Sequence, residues 1–305
     1  FIVSVISISL MLILFISEFR AFIKVKTSSE MLVDTSHSQD LLKINVDIIL
    51  TKLPCSIVSL DVQDMMGNHS LNVHGRLSKN RVDRDGNFIA LYVEPKHPDG
   101  EHRHVTDVPQ PELKDLKREI KDQEGCQLVG NINVMRVPGN FHISSHAYGR
   151  TITKLITNSE FKYDISHKIN HISFGDEDDI QYIKNTFNVG NVSPLDGVEK
   201  KKDPKTDKMY EYYLKVVPTN YNEINGKSFD VNQFSSNSNE VNINMMIPTI
   251  YFRFDIAPIL VRYQQYRESS FEFFVQICAI IGGIYSVIGI LDTLVNRLFR
   301  SSKPE

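Results

Sequence analysis

Two long apolar stretches bound the chain, and between them apolar and polar residues tend to alternate with a period of two. "FIVSVISISLMLILFIS", residues 1–17, carries no charge, and neither does "FFVQICAIIGGIYSVIGIL", residues 273–291. Each approaches the length of about 20 residues that a helix needs to cross the hydrocarbon core of a bilayer. The pattern therefore predicts membrane-spanning helices over 1–17 and 271–293, with a short tail at 294–305. "EFRAFIK" follows the first run where a signal peptide would show a small-residue cleavage site, so a retained anchor is expected. The chain opens on Phe1 rather than Met, which implies residues upstream.

From Leu41 onward the period is that of strands. In "LKINVDIIL", Ile44, Val46 and Ile48 alternate with Asn45 and Asp47, as a half-buried strand requires. "SIVSLDVQDM" and "HSLNVHGRL" continue the alternation, and the Asp-Gly turn of "DRDGN" leads into "FIALYVE". "PKHPDGEHRHVTDVPQP" reads as an exposed loop, and Leu113, Leu116 and Ile120 at helical spacing predict a short amphipathic helix. Strands resume in "GCQLVGNINVMRVPGNFHISSH", where Pro138-Gly139 suits the centre of a type II turn and hence a hairpin, with glycine supplying a positive φ. "YEYYLKVVPT" and "IPTIYFRFDIAPILVRY" are further strands, separated by a polar loop, "NGKSFDVNQFSSNSNEVN". The fold class expected is mainly β: an antiparallel β-sandwich over 18–270, flanked by two transmembrane helices.

Charge sets the orientation. Two spans put both ends on one side of the membrane and residues 18–270 on the other. Arg297, Arg300 and Lys303 after the second span favour a cytosolic tail, whereas Arg20, Lys24 and Lys26 argue the other way with less weight, because large domains translocate largely regardless of charge. A lumenal middle fits the sequons at Asn68 and Asn191, candidate glycosylation sites. It also fits the cysteines: Cys278 lies in the second span, leaving Cys55 and Cys126 as a pair. In an oxidising lumen they would close a loop of about 70 residues as a disulfide; the alternative is two buried free thiols. The 305 residues carry a net charge of -3, so no positive excess exists for a phosphate backbone and no nucleic acid is expected as partner.

Chemistry finds few footholds. His142 and His146 lie in one segment and His167 and His171 in another, the second pair spaced by four so that it shares one face of a helix or strand. A third or fourth metal ligand is not evident and H-E-x-x-H is absent, so no metal is expected. The four histidines are instead candidates for sensing pH, by repulsion between imidazoles that become charged together; the plain alternative is fixed hydrogen bonding. There is no G-x-S-x-G elbow and no C-x-x-C, so neither hydrolase nor disulfide exchange is expected, nor any cofactor. The acidic run at 176–179 and the basic run at 199–208 read as solvated loops. In the second span, Ala279, Gly282, Gly283, Ser286 and Gly289 recur at three or four residues, a small-residue face on which another helix packs, either the first span or another subunit.

Seven motifs then appear in order: "LPCSIVSLDV", "GCQLVGNINVMRVPGNFHI", "SHKINHISFG", "PLDG", "YYLKVVPT", "FRFDIAPILV" and "AIIGGIYSVIGILD". The chain resembles the ER-Golgi intermediate compartment proteins, also called ER vesicle (Erv) proteins, over nearly its whole length. The resemblance implies a two-span protein of ER, intermediate-compartment and Golgi membranes with short cytosolic ends and a lumenal β-sandwich. It implies hetero-oligomers with a related two-span subunit, vesicle coat proteins as partners of the cytosolic ends, and lumenal cargo proteins sorted or retrieved by the sandwich. The alternative is a structural subunit that stabilises its partner without touching cargo. Members of the larger-subunit branch carry a cysteine-rich loop with a C-x-x-C between the positions of Cys55 and Cys126; here that interval holds no cysteine. This favours the smaller-subunit branch or a divergent one.

Overall fold

A computed structural model describes residues 2–34, 41–65, 69–70, 74–93, 110–157, 161–187, 190, 192–203, 206–243 and 247–301. The chain divides into two compact units, one of residues 1–30, 222–228 and 263–305, the other of 31–221 and 229–262. In the first unit, helix α1 (Ile2–Ile23) pairs with the long helix that ends the chain. Phe22 stacks on Phe273 at 4.5 Å between ring centres. Both helices have stretches long and apolar enough to cross a membrane, Val5–Ile23 and Ser270–Leu294.

The strands follow in chain order: β1 (Lys26–Val33), β2 (Leu41–Leu50), β3 (Ser59–Asp64), β4 (His69–Ser70), β5 (His74–Val82) and β6 (Phe88–Tyr92). Helix α2 (Leu113–Lys121) leads into β7 (Gly125–Met135) and β8 (Gly139–Ser144), and helix α3 (Gly149–Thr157) into β9 (His167–Phe174). Helix α4 (Glu177–Thr186) precedes β10 (Glu199–Lys200), β11 (Lys208–Asn222), β12 (Ser228–Asn242), β13 (Ile250–Ile256) and β14 (Ile259–Tyr266), and helix α5 (Ser270–Ser301) closes the chain.

Strand order runs β4-β3-β8-β13-β11-β12, then β9-β2-β7-β5-β6, with β1 on β14 and β10 on β9. The two runs join through one register pair, Asn232 with Phe174, so the sheet folds there into the two layers of a sandwich. One core fills the space between them. Leu42, Ile44, Val46, Ile48 and Leu50 of β2 are all at most 3% exposed and meet Val134, Ile132, Gly130, Leu128 and Cys126 of β7 across the ladder. Phe141, Phe252 and Tyr212 stack from the facing layer, with ring centres 4.6 and 4.9 Å apart. Each such side chain contributes about 1.5–3 kcal/mol by leaving water, which is why period-two alternation selects this sheet.

Four sequence expectations are corrected. Pro138-Gly139 makes no hairpin: β7 pairs with β2 and β5, β8 with β3 and β13, and the turn carries the chain from one layer to the other. Gly139 does not have a positive φ; it is required because a Cβ there would lie 2.9 Å from the Gln63 carbonyl oxygen and 3.2 Å from the Phe254 ring. The Ser/Asn-rich "polar loop" is the turn at 225–227 plus all of β12, whose core contact needs only Val231 and Phe234. The acidic run is not a loop: Asp176 caps α4, its carboxylate accepting from the Asp178 N–H. The sheet is mainly antiparallel, as expected, with β11 and β13 paired in parallel. The expected amphipathic helix forms as α2, with Leu116 fully buried.

Candidate functional site

The two cysteines of the middle region meet. Cys55, in the single 3-10 turn before β3, and Cys126, at the start of β7, form a disulfide with Cα atoms 4.8 Å apart, both side chains buried. It closes a sequence separation of 71 residues and ties the turn between β2 and β3 to the start of β7, a constraint worth about 2–4 kcal/mol. Beside it lies a carboxylate pair that sequence reading misses. The Ser56 hydroxyl donates to Glu119 at 2.5 Å, and Arg81 grips Glu124 through two nitrogens at 2.6 and 2.7 Å. Burial, reinforced by the Glu124 charge, raises the Glu119 pKa despite the Ser56 hydrogen bond. No periodicity marks these groups, because Ser56 is 63 residues from Glu119 and Arg81 is 43 from Glu124 in sequence.

The histidines occupy different environments. His142 is buried on β8 in a cross-strand row with Asp61 and Tyr251. Its Nδ1 lies 3.2 Å from the Asn140 oxygen, its Nε2 3.8 Å from Asp61, and its ring 5.1 Å from that of Tyr251. His146, in the turn after β8, has its pKa lowered by burial, with Asp61 opposing.

In β9 a bulge undoes the even spacing. Asp47 pairs with His171 but Ile48 with Ile169, so Asn170 is the extra residue and His167 and His171 fall on opposite faces. The His167 ring points into the core, donating from Nδ1 to the Ile165 carbonyl at 2.9 Å and accepting at Nε2 from the Tyr212 hydroxyl at 2.8 Å. Burial lowers its pKa to about 4, so it stays neutral well into the acid range. On the outer face, His171 sits between Asp196, 2.9 Å from Nδ1, and Glu177, 3.1 Å from Nε2. The hydrogen bond to Asp196 raises its pKa, with burial opposing. Glu177 also accepts from Ser173, and Asp196 from the Ile172 N–H, so both carboxylates are held in place.

Among the described residues no group of three metal-ligating side chains converges. Asn68 and Asn191 lie outside the described residues. On α5, Phe273, Ile277, Ile280, Ile284 and Ile288 are half-buried at three- or four-residue spacing, and Ile284 and Ile288 share an apolar cleft with Ile6 and Leu10 of α1. Gly283 borders that cleft, while Ala279, Gly282, Ser286 and Gly289 are exposed on the opposite side of the helix. The first span is therefore not what the small-residue face packs on.

The chain thus combines a β-sandwich carrying one buried disulfide with two terminal helices long and apolar enough to cross a membrane. A family profile described as "Endoplasmic reticulum vesicle transporter" matches residues 72–292, and one described as "Endoplasmic Reticulum-Golgi Intermediate Compartment (ERGIC)" matches residues 1–71. The chain belongs to this ER-Golgi transport family. It is 30% identical over 292 residues to endoplasmic reticulum-Golgi intermediate compartment protein 1 of Xenopus laevis, covering 92% of this chain and 81% of that one. It is 28% identical to the probable intermediate compartment protein 3 of Dictyostelium discoideum, covering 96% and 88%. The crystal structure of Erv41p superposes with a TM-score of 0.51 at 22% identity, over 78% of this chain and 99% of that one, which supports the fold.

Proposed function

We propose that the chain is a cargo-receptor subunit that cycles between ER and Golgi in coated vesicles and sorts or retrieves lumenal proteins as part of a hetero-oligomer. The observation that carries the reading is the buried Cys55–Cys126 disulfide, which supports an oxidising, lumenal side for the domain at 18–270. In this reading, spans at 1–17 and 271–293 place a tail at 294–305 in the cytosol with the vesicle coat, and Asn68 and Asn191 accept glycans. The exposed face of Ala279, Gly282, Ser286 and Gly289 supports a related two-span subunit as partner, since small side chains admit a close helix. The same face favours a second reading, a structural subunit that holds its partner without touching cargo.

The histidines supply a pH response of mixed sign. The carboxylates about His171 bind its proton more tightly in the folded protein, whereas His167 and His146 resist protonation. Crosslinking of the full-length chain in intact membranes at pH near 7 and near 6, read by mass spectrometry, separates the readings. Soluble lumenal clients that change with pH, together with a two-span partner, are expected. A membrane partner alone at both pH values would overturn the receptor reading in favour of the structural one.

A further inference from the structure

The outer face of the β5-β7-β2 layer carries a shallow basin of about 490 Å³ lined by Lys43, Arg76, Asn131 and Asn133. Three strands build it. Asn131 of β7 stands between Asn45 of β2 and Arg76 of β5, and Asn133 stands opposite Lys43. Alternation dictates the placement: Leu128, Ile132 and Val134 go to the core, so Asn131 and Asn133 go outward. Gly130 draws β5 onto β7, since a Cβ there would lie 1.9 Å from the Arg76 carbonyl oxygen. The Arg76 backbone is thus held where a glycine neighbour alone permits it, and the basin floor is sheet rather than loop.

Its chemistry is that of an anion receptor. Arg76 is exposed and makes no ion pair among the described residues. Among the described residues Lys43 reaches only Asp176, at a long 3.5 Å and with the carboxylate more than half exposed, a contact that an incoming anion displaces at little cost. A guanidinium fork, an ammonium and two amides together offer many donors to an acceptor-rich group. β2 and β5 flank β7, so the two cations spring from strands about 9.5 Å apart. That separation suits carboxylates spaced along an extended chain better than the oxygens of a single phosphate.

We propose that this basin binds an acidic peptide segment presented by a lumenal protein, its carboxylates on Arg76 and Lys43 and its peptide groups on Asn131 and Asn133. The inference rests on the receptor reading above and adds the ligand chemistry to it. The test titrates labelled hexaglutamate into the full-length chain in neutral-lipid nanodiscs, wild type against the Lys43→Gln/Arg76→Gln double variant, with hexaglutamine and inorganic phosphate as competitors. Saturable hexaglutamate binding that weakens with salt and falls about tenfold or more in the double variant is expected. Wild type that fails to bind, a double variant that binds equally, or hexaglutamine that competes equally would overturn it. Phosphate competing at the same concentration as hexaglutamate would overturn the peptide in favour of a single-anion site. An unchanged thermal midpoint controls for folding, since both substituted side chains lie at the surface. Crosslinking the double variant keeps the two readings apart. Unchanged lumenal clients remove the basin and leave the receptor, whereas hexaglutamate binding without any lumenal client removes the receptor and leaves the basin.

Discussion

His171 and His167 stand four residues apart in β9 yet answer acid in opposite senses. The pKa of His171 is raised above 6.5, so the folded state takes up that proton before the unfolded chain does. Its stabilisation is complete below pH 6.5 and is lost as pH rises through the raised value. His167 is held at about 4, so the unfolded chain takes the proton first as pH falls below 6.5. Stability of up to about 3 kcal/mol is then lost between pH 6.5 and 4. Replacing His171 by Gln keeps polarity but removes the charge. Chemical unfolding of the full chain is expected to show a larger loss at pH 6 than at pH 8; an equal loss at both would mean that the imidazolium contributes nothing. Glu119 shares the sign of that pH dependence but not its cause: burial raises its pKa, so its charged form is a cost to the fold that acid relieves.

At the scale of elements, close backbone approach decides which strands pair. Gly130 combines a φ of +140° with a Cβ position 1.9 Å from the Arg76 carbonyl oxygen, so neither rotation nor a side-chain shift relieves a substitution. Gly130→Ala is expected to destabilise the sandwich by at least about 2 kcal/mol and to loosen β5 and β6, measured by denaturation midpoint and protease sensitivity. Gly190→Ala is the control, since nothing lies within 4 Å of its Cβ position and its φ is not in the left-handed region. Comparable effects at the two positions would refute the close-approach argument. The bulge at Asn170 acts at the same scale: one extra residue turns His167 to the core and His171 to the outside, and so separates the two titrations.

At the scale of the whole molecule, α5 has two faces with different uses. Its isoleucine face lies against α1, and its small residues point away. A Cβ added at 282 would meet nothing within 4 Å outside its own stretch of helix among the described residues, so that face of α5 is open to a larger side chain. Gly282→Leu is therefore expected to leave the unfolding of the sandwich unchanged while releasing a co-purifying two-span partner from the membrane complex. A complex that survives the substitution would move the subunit contact elsewhere.

What the sequence by itself determined follows from local patterns. The charge-free runs mark the terminal helices, the alternation from Ile44 to Ile48 marks β2, the spacing of Leu113, Leu116 and Ile120 marks α2, and the ordered motifs mark the family. Cys55 and Cys126 were readable as a pair because Cys278 falls in a span. Only the tertiary structure decided the rest. β12 has too few apolar residues to announce itself; pairing with the long β11 makes it a strand. α4 opens on the cap Asp176 and three acids in its first turn, which suit a helix N-terminus where backbone N–H groups seek acceptors, but Ile180 and Ile183 are too few to declare a period. The separation of β7 from β8, the parallel β11/β13 pair and the basin between β2, β7 and β5 rest on partners distant in sequence. Periodicity tells which way a side chain points relative to its own strand, whereas register, layer and neighbour are settled by contacts that form only when the whole sheet closes on its core.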